Sequence, residues 1–133
     1  MNPLHPVIAG RALHCCEYCH APELVSNLEF EIEHIDPQSL GGSNEVDNLA
    51  LACRACNLHK SNNRTYLDPH TQTRVLLFHP RRDRWTEHFH YEEASGALLG
   101  LTPNGRATVA CLQMNRRIQK AARQVWVQLG LFP

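Results

Sequence analysis

The sequence predicts an α+β chain built around a metal staple, on three observations. Two C-x-x-C pairs, Cys16 with Cys19 and Cys53 with Cys56, flank strand-like sequence. Leu28 to His34 (LEFEIEH) alternates apolar and acidic residues, the period of a half-buried strand. Ile118, Ala121, Ala122, Val125, Trp126 and Leu129 fall at helical spacing, so they form one apolar face of an amphipathic helix.

The elements follow in order. Residues 1–14 are a lead-in, with a short helix expected over Val7–Leu13. Cys16 to Cys19 forms a tight knuckle. The strand over Leu28–His34 ends at Asp36-Pro37. Ser39 to Asn44 (SLGGSN) is a turn, where Gly41-Gly42 supplies positive φ. Asn48 to Cys53 is a second short strand. After the second knuckle, Asn57 to about Arg64 reads as a short helix that Asp68-Pro69 stops. Arg74 to Phe78 is an apolar strand. Trp85 to Tyr91 alternates as a strand, with Trp85, Phe89 and Tyr91 on one face. It turns at Ala94-Ser95-Gly96 and pairs back through Leu98–Leu101. Thr102-Pro103 starts a helix, with Thr as N-cap and Pro in the first turn. Gly130 is the natural residue to end the last helix. No repeat or low-complexity segment interrupts this order.

The chain has 133 residues, with 13 Lys plus Arg against 13 Asp plus Glu. One domain with a small appended lobe is the default at this length. Zero net charge does not announce a nucleic-acid binder, but the arginines cluster at 54–64, 81–84 and 116–123, and a neutral chain can carry a basic stripe. No apolar run approaches the roughly 20 residues that span a bilayer. The first ten residues lack a basic stretch followed by an apolar one. A reducing, cytoplasmic setting is therefore expected. There cysteines, above all those paired as C-x-x-C among the six, are expected as metal ligands rather than disulfides. Four thiolates complete a tetrahedral Zn²⁺ and leave no open position, so Cys16, Cys19, Cys53 and Cys56 make a structural site. Cys15 competes with Cys16 for one ligand place, and the C-x-x-C spacing favours Cys16. Cys111 reads as a buried small apolar residue.

Glu33-His34-Ile35-Asp36-Pro37, Gly41-Gly42, Asn48-Leu49 and Cys53-x-x-Cys56-Asn57-x-x-Lys60 together resemble the HNH endonuclease family. The resemblance covers roughly residues 14–64. It implies a zinc-stapled ββα-metal fold, also called a His-Me finger, with residues 1–68 as the nuclease core. Residues 69–133 are then an accessory hairpin plus helical tail packed on that core. It further implies phosphodiester hydrolysis, with double-stranded DNA the expected partner and no membrane. His34 would be the general base and Asn48 would fix the loop that orients it. Glu33 and Asn57 would hold one catalytic divalent cation, and Lys60 and Arg64 would contact phosphate.

The chemistry fits these residue types. An unperturbed histidine titrates near ~6.5, which suits a base at neutral pH. Hard oxygen ligands suit Mg²⁺ or Mn²⁺, which polarises the phosphoryl oxygen. Two positions depart from the commonest family pattern: Glu33 stands where Asp is frequent, and Asn57 where His is frequent. His59 is an alternative ligand, but on a helix Asn57, Lys60 and Arg64 share a face and His59 does not. Adjacent strand residues point to opposite faces, so Glu33 and His34 serve one phosphate only if the strand ends or bulges there.

The second half carries less chemistry. Arg81-Arg82-Asp83-Arg84-Trp85 fits a backbone-contacting loop or a solvated turn around a core Trp. Arg116, Arg117, Lys120 and Arg123 lie on or beside the polar face of the last helix, as solubilising charge or a phosphate track. The apolar stripe around Trp126 is expected in the core. Against the nuclease stand a non-catalytic zinc module that binds nucleic acid or protein, and a nuclease acting on RNA or as a toxin.

Overall fold

The computed structural model describes residues 2–133, and among them three two-stranded antiparallel sheets and five α-helices surround one apolar core. Helix α1 spans His5–Arg11 and buries Ile8 and Ala9. Strand β1 (Glu31–His34) pairs with β2 (Leu49–Ala52), Glu33 opposite Ala50 and His34 opposite Leu49. All four residues of β2 are buried, which suits its LALA sequence. The first knuckle docks on this strand. The Glu17 and Leu51 amides and oxygens bond across at 2.8 Å, the Leu51 N–H donating to the Glu17 carboxylate.

Helix α2 spans Arg54–Lys60, one turn earlier than the sequence reading. The knuckle itself starts it: Cys53 is the N-cap and its sulfur accepts the Cys56 N–H at 3.4 Å. Ser61, at φ 50°, ends it, so Arg64 lies beyond the helix rather than on its Asn57 face. The chain then forms a hairpin the sequence reading missed, β3 (Thr65–Leu67) with β4 (Arg74–Leu76). Asp68 sits in its turn, so the expected domain boundary falls inside a hairpin. The Asp68 carboxylate accepts two bonds of 2.9 Å from the Arg106 guanidinium.

The expected strand over Trp85–Tyr91 divides in two. Trp85–His88 is a single helical turn, α3, and only Phe89–Glu92 is a strand, β5, paired with β6 (Ala97–Gly100). The turn aims Trp85 at the first knuckle. Its indole N–H donates to the Tyr18 carbonyl at 2.7 Å and its ring stacks on His20 with centroids 3.9 Å apart. Helix α4 (Pro103–Cys111) begins as expected, with the Thr102 hydroxyl accepting the Gly105 N–H at 3.0 Å. Cys111 is buried.

The last helix, α5 (Arg117–Gln128), forms where expected but turns the other way. Ile118, Val125 and Leu129 are exposed, Trp126 is half-buried, and Arg123 is its one buried residue. Of the expected stripe, Trp126 packs half-buried against the core while Ile118, Val125 and Leu129 do not, and Arg123 is buried rather than on the polar face. Core residues from both halves, including Tyr18, Leu51, Phe78, Phe89 and Leu98, form one cluster.

Candidate metal centre and catalytic pocket

The sulfur atoms of Cys16, Cys19, Cys53 and Cys56 all lie within 4.8 Å of one another, and Cys19 Sγ stands 3.7 Å from Cys53 Sγ. A tetrahedron of ~2.3 Å zinc–sulfur bonds has edges of about 3.8 Å, so the donor set fits zinc. Cys15 is outside the group; its thiol donates to the Leu13 carbonyl at 3.6 Å. Hydrogen bonds from Cys16, Cys19 and Cys56 hold the Cys53 thiol far below its ordinary range. Bonding to Cys16 and to Cys53 pushes Cys19 and Cys56 well up. A bound cation favours the thiolate form of its ligands, so metal binding and ionisation of the cluster go together.

The β1 end builds a second site. His34 Nε2 lies 2.8 Å from Asn44 Oδ1, which also accepts Gln38 Nε2–H at 2.8 Å. An amide oxygen only accepts, so His34 Nε2 carries the proton. A neutral His34 then keeps its free lone pair on Nδ1. Asn48 ties the loop that delivers Asn44. Its Oδ1 accepts the Asp36 N–H at 2.9 Å, and its Nδ2 donates to the Asp36 and Ser43 carbonyls at 3.0 and 2.8 Å. Gly41 takes φ +90°, as a turn glycine should. Gly42 is needed for another reason: a Cβ there would lie 1.8 Å from the Asp36 carbonyl oxygen.

A polar pocket of about 380 Å³ is lined by Glu33, His34, Gln38 and Asn57. The expected base and both expected cation ligands therefore share one pocket, and β1 ends at His34 without a bulge at Glu33. Asn57 Nδ2 donates to Glu31 Oε2 at 2.6 Å, leaving Asn57 Oδ1 free to ligate. Glu31 is two residues before Glu33 and shares its strand face, the signal that could have found it. His59 turns away, its Nδ1–H donating to the Ala55 carbonyl at 2.8 Å.

Glu33 and Lys60 differ from expectation. Glu33 is buried; Tyr18 Oη donates to its Oε1, and Lys60 Nζ donates to its Oε2 at 3.1 Å. Burial pushes the Glu33 carboxyl up, against the Lys60 charge and the Tyr18 bond. Lys60 is 1% exposed, and its other two protons go to the His34 and Ile35 carbonyls at 3.1 and 3.0 Å. All three donors are used inside the fold, so Lys60 has none for a phosphate. Arg64 is exposed, 3.8 Å from Asp36, and lines the neighbouring cavity with Arg82 and His79. Within the 81–85 loop, Arg81 is taken by Glu17, while Arg82 and Arg84 are exposed. Tyr18, Asn44, Gln38 and Glu31 carry the site's hydrogen bonding and were not singled out from sequence.

Residues 16–63 match the sequence model of the HNH endonuclease family. No curated protein and no solved structure matches the chain significantly. No helix of the described residues is long and apolar enough to cross a membrane.

Proposed function

We propose, from the HNH endonuclease match over residues 16–63, that this chain is a metal-dependent endonuclease that hydrolyses phosphodiester bonds in DNA. The observation that carries the reading is the arrangement around His34. A base needs a free lone pair, and Nδ1 has one because Asn44 holds the proton on Nε2, while His34 lines the polar pocket. Water entering the pocket gives its proton to Nδ1. The resulting imidazolium keeps its Nε2–H bond to the Asn44 oxygen, which becomes charge-assisted and stronger. Asn48 holds the loop so that this bond survives each turnover.

Asn57 Oδ1 and the Glu33 carboxylate are the oxygen donors for a catalytic Mg²⁺ or Mn²⁺, which supplies charge neutralisation at the phosphoryl oxygens and the leaving group. Each Glu33 oxygen already accepts one bond, from Tyr18 or Lys60, and would ligate through its remaining lone pair. Zn²⁺ occupies the four cysteines and serves structure. Arg64, with Arg82 in the next cavity, replaces Lys60 as the phosphate contact, and the substrate is double-stranded DNA met in the cytoplasm.

Supercoiled plasmid incubated with Mg²⁺ or Mn²⁺ tests the reading. Wild type nicks or linearises it. Asn57→Ala loses rate that excess metal partly restores, and His59→Ala stays close to wild type. DNA binding without cutting under any divalent metal would instead favour the non-catalytic zinc module.

A further inference from the structure

Arg123 is 1% exposed and has no carboxylate partner among the described residues. Its guanidinium donates to neutral acceptors: the Gly96 carbonyl at 2.7 Å, the Met114 carbonyl at 2.6 Å and Asn115 Oδ1 at 2.8 Å. Those bonds use three of its five protons and leave its charge unmatched, and a buried charge without a counter-charge is costly. Arg123 lines one cavity together with Cys19 and Cys53. Four thiolates around one Zn²⁺ sum to two negative charges. Two of those sulfur ligands belong to residues that share the Arg123 cavity, and no carboxylate residue lines it.

We propose that Arg123 is the counter-charge of the four-cysteine zinc site, so that zinc loading holds helix α5 against the knuckles. Burial pushes the Arg123 guanidinium down, and its neighbours offset only part of that. Beside Arg123, helix α5 is attached through Trp126 and Val127, which pack half-buried against the core. Arg123 is the only buried side chain of the helix, and Ile118, Val125 and Leu129 are exposed. Gly96 permits the approach: at φ +78°, with a Cβ that would meet the Lys120 carbonyl oxygen at 2.4 Å, it lets the turn before β6 lie against α5. Empty or oxidised cysteines would leave the guanidinium uncompensated and release the helix. The charge thus couples the C-terminal tail to the metal state of the core.

The proposal rests on zinc occupying the four cysteines, so the zinc content of the purified full chain is measured first, and no readout uses nuclease activity. Zinc affinity is then measured by competition with a chromophoric chelator, and backbone hydrogen exchange is followed over residues 117–128. Outer-shell partners of metal ligands typically contribute about 10–100-fold in affinity. Arg123→Gln should lose at least about tenfold in zinc affinity and expose α5 to exchange. Arg123→Lys, which keeps the charge and alters the hydrogen bonds, should hold zinc to within about threefold of wild type, well inside that range. Asn115→Ala, which removes one of those bonds and two to the Leu98 backbone but no charge, should do the same. Arg123→Gln with wild-type affinity, or Arg123→Lys as weak as Arg123→Gln, would overturn the proposal. Should Arg123→Gln fail to fold, wild type under graded chelator and reductant decides. Protection in α5 must fall with zinc loss no later than protection in α4, and an α5 that stays protected after α4 opens overturns the coupling.

Discussion

Replacing Asn48 by Ala removes the clamp on the loop behind His34. Asn48 is 8% exposed and makes three side-chain hydrogen bonds, one accepted from the Asp36 amide and two donated to the Asp36 and Ser43 carbonyls. Each such bond contributes about 0.5–1.5 kcal/mol net, so the expected loss of stability is about 2–4 kcal/mol. Asn48→Asp is the sharper control. It can keep the bond from the Asp36 amide but sets a carboxylate oxygen against two carbonyl oxygens, so it should be no better than Ala. Urea unfolding in constant zinc, followed by circular dichroism, measures both, and an unchanged slope shows that the loss is one of stability. The cleavage rate of the folded Asn48→Ala protein should also fall, because the same loop brings Asn44 to His34. A loss below about 0.5 kcal/mol, less than one ordinary hydrogen bond, together with an unchanged rate, would refute the assignment of Asn48 as the clamp.

Cys53→Ser breaks the zinc shell and removes the sulfur that caps α2, so the purified variant should lack zinc and unfold or aggregate; normal melting without zinc would contradict a structural site. Lys60→Ala strands the buried Glu33 carboxylate and should cost about 3–5 kcal/mol in urea unfolding, whereas Lys60→Met with Glu33→Gln should recover part of it; a stable Lys60→Ala that only binds DNA less well would return Lys60 to the phosphate. Glu23, buried between His5 and His14 at 2.6 Å from each, is pushed up by burial but further down by bonds from His14, His5 and the Phe30 amide, so its net displacement is downward. A depressed folded value gives stability that is present above the unfolded value of about 4.3 and lost as pH falls through the folded one, so the stability gap between wild type and Glu23→Gln should narrow below about pH 4. A gap that widens on acidification would reverse that sign.

What the sequence made legible were features specified by spacing. The C-x-x-C pairs fix the cluster because a knuckle binds through sulfurs three residues apart. The alternation at Ile32 to His34 fixes β1, and Thr102-Pro103 fixes the start of α4. What it hid depended on tertiary partners. Lys60 looks like a phosphate contact because lysines are normally exposed, and only the buried Glu33 opposite it makes an interior lysine tolerable. Arg123 looks like surface charge for the same reason. The stripe on α5 looks like core because periodicity reports amphipathicity, not which face a neighbour covers. Trp85 keeps step with Phe89 and Tyr91 under a two-residue period, yet its indole bond to the Tyr18 carbonyl goes with one helical turn before the strand. Asn44 and Gln38 act through a loop whose shape depends on Gly42 fitting under the Asp36 carbonyl, which no pattern of residue types states.

The central claim is that His34 is the base of a metal-dependent cut. It is tested most directly by cleavage of supercoiled plasmid in Mg²⁺ or Mn²⁺ by wild type and His34→Ala, each first shown to hold equal zinc and to unfold at the same urea concentration. Removing a general base typically costs about 10²–10⁴-fold in rate, and no excess of metal restores it because His34 is not among the cation's ligands. The account predicts a zinc-loaded, folded His34→Ala protein that is slower by that factor at every metal concentration. Cleavage by His34→Ala at the wild-type rate, with the same metal dependence, would contradict it.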